Sequence, residues 1–314
     1  MRHRTQGRLA RAACAVVLIG GALTSPASAG RPGSIELASV HAVVGDLEGG
    51  EILYAKRDDI AVPIASITKL MTAMVVLDGG QSLEESIPIV PLGRSVGKNG
   101  VSRLRVGSVS TSGQLLRLAL MSSDNVAAWA LAQHYPGGLE AFTAAMNAKA
   151  RALGMSRTHF DDPTGLSPTN RSSAFDLWKL VRAAHGYEVV RDYSTTTRYT
   201  ATFREPTYTL DYGNTNPLTA SSRWEIGLSK TGYLDEAGRC LVMVADIDGR
   251  KIGIVLLNSF GTRTPQGDAA RVRRWLQTGS SGHVAGAALE YERRAADRHE
   301  DSSAGHHHER LADQ

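Results

Sequence analysis

The chain has 314 residues, 42% of them hydrophobic and 21% charged, a balance that fits one large or two smaller globular domains and excludes disorder throughout. Its formal charge of +4 comes from residues 1–29, where Arg2, Arg4, Arg8 and Arg11 stand without an acid. The remainder is balanced, which removes the compositional ground for a nucleic-acid partner.

Those four arginines precede an apolar run from Ala12 to Leu23 and then Pro26-Ala27-Ser28-Ala29-Gly30, with the small-x-small pattern of a cleavage site. The segment 1–29 therefore reads as a secretory signal, because about a dozen apolar residues fall short of the ~20 that span a bilayer. Its loss would take Cys14 away and leave Cys240 without a partner, so export here comes without an intramolecular disulfide. Cys240 lies in an apolar stretch and reads as a buried, inert strand residue.

His41 to Ala55 reads as two strands around Glu48-Gly49-Gly50, and Cys240 to Asn258 as two more around Asp248-Gly249. Between them, helical patterns run from Ser66 to Asp78, Ser112 to His134, Leu139 to Leu153 and Ser173 to Ala184, and a last one lies near Gln266 to Leu276. Hairpins at both ends of a helical middle predict an α+β domain over residues 30–278, an antiparallel sheet with packed helices and a helical lobe beside it. From 279 to 314 the chain is rich in small and charged residues and reads as a polar, disordered tail. His306-His307-His308 in that tail is first a solvated low-complexity end and only second a metal ligand set.

One lysine stands inside the buried-looking stretch PIASITKLMTAMVVL, from Pro63 to Leu77. Ser66 sits where a helix begins, and Lys69 is one turn further on, so the two side chains stack. A serine becomes a nucleophile when a base takes its proton, and a lysine can do so once neutral. Desolvation by Leu70, Met71 and Val75 would push Lys69 that way. Ser-x-x-Lys alone is equally a capping serine with a surface lysine, and Ser95-Val96-Gly97-Lys98 repeats the spacing in a glycine-rich loop without an apolar shell.

Two further triplets shift the balance. Ser123-Asp124-Asn125 interrupts an apolar helical pattern and offers a second hydroxyl and a carboxamide, suited to proton relay and to clamping an amide. Lys230-Thr231-Gly232, just before the terminal strand pair, offers groups that hold a carboxylate and a glycine that permits close backbone approach. A helix junction and a strand-entry turn are the plain structural readings of these two. In order, the three motifs match the Ser-x-x-Lys, Ser-x-Asn and Lys-Thr-Gly set.

With these motifs the chain resembles the low-molecular-mass penicillin-binding proteins of the D-alanyl-D-alanine carboxypeptidase/endopeptidase group, from about Leu37 to Leu276. Stretches such as LALMSSDNVAAWALAQHYPGG, DPTGLSPTN and KTGYLDEAGRCLVM are most similar to the DD-endopeptidase branch. The resemblance implies a DD-peptidase/β-lactamase-like fold, an acylated Ser66, Lys69 as its base and Ser123 as proton relay. It also implies substrate contacts from Asn125, Lys230, Thr231 and Gly232, and an oxyanion hole from the N–H groups of Ser66 and Tyr233. Arg263 aligns loosely with a carboxylate-contacting arginine.

The resemblance further implies no metal or cofactor, peptidoglycan stem peptides as substrate and β-lactams as covalent inhibitors. Cleavage of cross-links is favoured over D-alanyl-D-alanine carboxypeptidase action. A β-lactamase would need a deacylating base such as a Glu-x-x-Leu-Asn glutamate, which the region after Asn125 lacks. A non-catalytic wall-binding protein would be expected to have lost a motif residue. The expected location is outside the cytoplasm, free or associated with the wall, with the tail as a contact for a partner protein of wall growth.

Overall fold

The computed structural model describes Met1 and residues 34–93 and 102–298. The signal-like segment, the Ser95 to Lys98 loop and the three histidines at 306–308 lie outside the described residues. All the elements belong to the unit Pro32–Gln314.

In chain order these are strands β1 (His41–Asp46), β2 (Ile52–Lys56) and β3 (Val62–Pro63), a 3₁₀ turn at Ala65–Ile67, and helix α1 (Thr68–Asp78). Strands β4 (Ser86–Pro88) and β5 (Val109–Thr111) lead into helices α2 (Ser112–Met121), α3 (Asn125–Gln133) and α4 (Gly138–Ala152). Strand β6 (Arg171–Ser172), helices α5 (Ala174–His185) and α6 (Glu188–Thr195), and strands β7 (Arg198–Phe203) and β8 (Tyr208–Gly213) follow. After a 3₁₀ turn at Pro217–Ala220 come β9 (Glu225–Leu234), β10 (Gly238–Ile247), β11 (Arg250–Ser259) and helix α7 (Thr264–Thr278). A last helix, α8, runs over 286–298.

The main sheet has five antiparallel strands in the order β2-β1-β11-β10-β9. Both of its faces are covered. On β10, Leu241, Met243 and Ala245 pack with Ala269, Val272 and Trp275 of α7, whereas Val242 and Val244 join the larger core of the helical lobe. The period-2 alternation therefore serves two apolar layers, and the strand reads as one continuous apolar run. Inside the lobe α1 has no solvent face from Thr68 to Val76. A charge between Thr68 and Val76 can only be a buried one.

The α+β architecture and both terminal hairpins agree with the sequence reading, and four expectations need correction. The pattern from Ser112 to His134 is two helices, because Ser123 takes a left-handed φ of 62° and the Asp124 carboxylate caps α3 by accepting from the Ala127 N–H at 3.0 Å. Lys230-Thr231-Gly232 lies inside the ten-residue strand β9 rather than in a turn before the strand pair. Helix α6 and the β7–β8 hairpin had no counterpart in the reading. They carry polar and β-branched residues whose apolar faces show no clear period until packed.

The fourth correction concerns the polar tail expected from 279. Residues 284–296 pack back on the domain: Val284 and Ala288 against Ala38, and Ala295 and Ala296 against Val40. The buried Glu292 carboxylate pairs with Lys56 at 3.0 Å and with Arg57. Small residues bury completely with little apolar surface, which is why composition reads this stretch as solvated. Only 299–314 of the expected tail lies outside the described residues.

Candidate active site

Ser66 is the middle residue of the 3₁₀ turn that opens α1, and the turn is held from two sides. Gly165, at φ +78°, lies so close that a Cβ there would sit 1.9 Å from the Ala65 carbonyl oxygen. Gly232 of β9 lies on the other side, where a Cβ would come within 3.2 Å of the Ser66 nitrogen and 3.1 Å of the Ile64 carbonyl oxygen. Ala65 itself has a φ of 48°, an uncommon conformation for a residue with a side chain, and the two glycines fix it. Ser66 does not cap α1: the N-cap is Ile67 without a side-chain bond, and the Ser66 hydroxyl turns to Lys69 instead.

Lys69 is fully buried. Its Nζ donates to Ser66 Oγ at 2.8 Å, to Asn125 Oδ1 at 2.7 Å and to the Thr164 carbonyl oxygen at 2.6 Å. Burial lowers its pKa from 10.5 to about 7, against the opposing pull of the Asp162 and Asp124 carboxylates. At neutral pH the amine thus exists in both forms, beside a hydroxyl whose proton it can take.

The second lysine, Lys230, is also buried. Its Nζ donates to Ser123 Oγ at 2.9 Å and to the Thr231 carbonyl oxygen at 2.9 Å. Burial first, and the charge of Lys69 second, hold its pKa well below the ordinary lysine value. The left-handed backbone at Ser123 sets its hydroxyl over the site, and the Asp124 cap puts Asn125 at the first position of α3, with its carboxamide on Lys69.

A loop that the sequence reading singled out only as peptidase-like supplies the third acceptor of Lys69. The Asp162 carboxylate ties it by accepting from the N–H groups of Thr164, Gly165 and Ser167 and from the Thr164 hydroxyl. Asn170 fastens the knot to α1 by donating to Asp162 O at 2.8 Å and to Thr68 Oγ1 at 3.1 Å. A backbone carbonyl carries no signature of its own in a sequence, although the Asp-Pro-Thr-Gly turn marks where the loop folds tightly.

Ser66, Ser123, Asn125, Thr231, Gly232, Tyr233 and Arg263 line one cleft of about 540 Å³, and Lys69 and Lys230 lie beneath its floor. All nine residues singled out in the sequence thus come together. The cleft wall also includes Thr215, which accepts from Thr231 Oγ1 at 2.7 Å, and Arg239, neither of which the motifs point to. β9 is an edge strand, so half of its N–H and C=O groups point out of the sheet beside the cleft. Cys240 is buried under the wall and its thiol is pushed up to about 12, as for an inert core residue. Among the described residues no three His, Cys, Asp or Glu side chains form a metal-binding group.

A serine hydroxyl on a buried lysine, next to an edge strand and a cleft, can form and hydrolyse an ester, the chemistry of the acyl-enzyme serine hydrolases. The family model of D-alanyl-D-alanine carboxypeptidases, peptidase S11, matches residues 26–261. The chain belongs to this family. It is 49% identical over 266 residues to a D-alanyl-D-alanine endopeptidase of Pseudomonas aeruginosa, covering 85% of this chain and 86% of the relative. It is 45% identical over 276 residues to a D-alanyl-D-alanine endopeptidase of Escherichia coli K12, covering 88% and 89%. Among solved structures, penicillin-binding protein D2 of Listeria monocytogenes in its ampicillin-bound form superposes with a TM-score of 0.66 at 27% identity, covering 78% of this chain and 98% of that one.

Proposed function

We propose that the protein cleaves peptide bonds on the carboxyl side of D-alanine in peptidoglycan stem peptides through an acyl-enzyme at Ser66, and that cross-links are its preferred substrate. The observation that carries this reading is Lys69 Nζ, fully buried and 2.8 Å from Ser66 Oγ. In its neutral form Lys69 accepts the hydroxyl proton as Oγ attacks the D-Ala carbonyl carbon. The N–H groups of Ser66 and Tyr233 hold the oxyanion, and Asn125 orients a substrate amide. Ser123 relays to the leaving amine the proton that Lys69 took up, as the scissile C–N bond breaks, and water then hydrolyses the ester and restores the Ser66 hydroxyl. Lys230, Thr231 and Arg263 attract the substrate carboxylate, and Gly232 lets the peptide lie against the strand.

The names of the two relatives at 45–49% identity support cleavage of cross-links, and the family model's name supports the alternative of D-alanyl-D-alanine carboxypeptidase action. The leaving amine distinguishes them: a diamino acid of a second stem peptide in one case, free D-alanine in the other. Purified cross-linked dimers and monomeric pentapeptides, digested in parallel, decide between them by the products separated. Penicillin is expected to add covalently at Ser66 and not to Ser66→Ala; an adduct on the variant, or none on the wild type, refutes the mechanism.

The signal-like segment supports export, with the protein free or wall-associated outside the cytoplasm. No helix among the described residues is long and apolar enough to cross a membrane. For the polar residues 299–314 we keep the reading of a contact for a wall-growth partner. Deletion after residue 298 that leaves localisation and pull-down partners unchanged would count against it.

A further inference from the structure

Among the described residues the cleft wall contains two guanidinium groups, Arg239 and Arg263, and no acidic residue. Among the described residues neither guanidinium has a hydrogen bond or an ion pair, although arginines near the surface usually find one. Arg239 is nevertheless held in place. It lies directly opposite Tyr233 in the β9–β10 register, and its guanidinium carbon is 3.8 Å from the centroid of the Tyr233 ring. Tyr233 is 46% exposed, and its ring is itself tied down, because its hydroxyl donates to Asp235 Oδ1 at 2.6 Å. A guanidinium stacked on a ring keeps its edge donors free, in the planar fork that matches a carboxylate.

The two arginines have different positions along the substrate path. Arg263 is carried by the loop into α7, whereas Arg239 stands across the sheet register from the residue just after Gly232. Two guanidinium groups on the rim of a cleft, neither paired among the described residues, favour an occupant that brings more than one negative charge. A single carboxylate at Thr231 and Arg263 leaves Arg239 unused.

We infer that Arg239, presented on the Tyr233 ring, binds a second carboxylate of the substrate and makes the protein selective for peptides with two free carboxylates about the scissile bond. The inference rests on the peptidase reading given above. The carboxylate can belong to the acyl side or to the leaving side, and the two sources are separable by synthesis.

The test uses the full-length protein and synthetic cross-linked dimers in which each free carboxylate is replaced in turn by a carboxamide. For the wild type, one of these replacements other than the carboxylate nearest the leaving amine lowers kcat/KM about tenfold or more, the scale of one charge-assisted hydrogen bond. Whether that position lies on the acyl or the leaving side names the source. In Arg239→Gln the unmodified dimer is cleaved as slowly as that amidated one, and amidation there produces no further loss. Arg239→Lys, which keeps the charge without the fork, falls between them. Wild-type rates within about twofold for every such amidated dimer overturn the inference without any variant being made. An equal loss on free and amidated dimers in Arg239→Gln also overturns it, since the residue then acts through the hairpin. Failure of the peptidase reading looks different: the wild type then cleaves no dimer and takes up no penicillin at Ser66.

Discussion

Lys69 Nζ stands 2.8 Å from Ser66 Oγ in a helical stretch, Thr68 to Val76, with no solvent face, and its other two contacts are also oxygen acceptors, Asn125 Oδ1 and the Thr164 carbonyl. The three contacts fix the amine in place while burial weakens its hold on a proton. Position and proton affinity thus come from the same packing.

Replacing this base should separate the two properties. Lys69→Arg keeps a cation of similar reach that stays protonated at any working pH. We expect penicillin acylation of Ser66 to slow by about 10²–10⁴, the range for loss of a positioned base, with the fold retained by circular dichroism. Acylation within about threefold of wild type would show that the proton leaves by another route.

The same depressed pKa makes stability depend on pH. The unfolded lysine keeps its proton up to its ordinary value of 10.5, and the folded one loses it near 7. Between these values the unfolded state binds more protons, so stability rises as pH increases through the window and the advantage is lost as pH falls toward 7. Lys69→Met removes this contribution. The wild type should gain stability relative to Lys69→Met by about 1 kcal/mol per pH unit between pH 8 and 10, measured by denaturant titration. Parallel curves would mean that Lys69 titrates alike in both states.

Gly165→Ala places a methyl carbon where the Ala65 carbonyl oxygen already is, at a backbone φ of +78° that alanine avoids. The expected cost is at least ~2 kcal/mol of stability, together with slower acylation because the 3₁₀ turn carrying Ser66 must shift. Both can be read on one preparation, from the denaturation midpoint and the rate of adduct formation. Unchanged values for both would show that the turn has room to relax.

Helix α8 should belong to the domain. Ending the chain after 279 uncovers Ala38 and Val40 and leaves Lys56 and Arg57 without the Glu292 carboxylate, whereas ending it after 298 removes none of these contacts. The shorter chain should lose several kcal/mol, of which Glu292→Gln alone accounts for about 2, and the longer one should melt like the full chain. Equal melting of all three would place α8 outside the cooperative unit.

Much of the site was legible because its chemistry needs particular residue types at local spacing. Ser66 and Lys69 are one helical turn apart, and Ser123-Asp124-Asn125 and Lys230-Thr231-Gly232 are contiguous. What escaped the reading depends on backbone or on distant pairing. Thr164 contributes a carbonyl oxygen, and Arg239 enters the cleft only through its register with Tyr233. The strand through Lys230 was masked by Gly227, Ser229 and Gly232, which weaken strand propensity yet allow close packing. Helix α8 was hidden because alanines bury well without raising hydropathy much.

The most direct test of Lys69 as the base is the pH profile of Ser66 acylation by penicillin, followed as the rate of adduct formation by intact mass. The rate should rise with pH through about 7, where the buried amine loses its proton. A rate that stays flat from pH 5 to 10, or an adduct on any residue other than Ser66, would contradict the account.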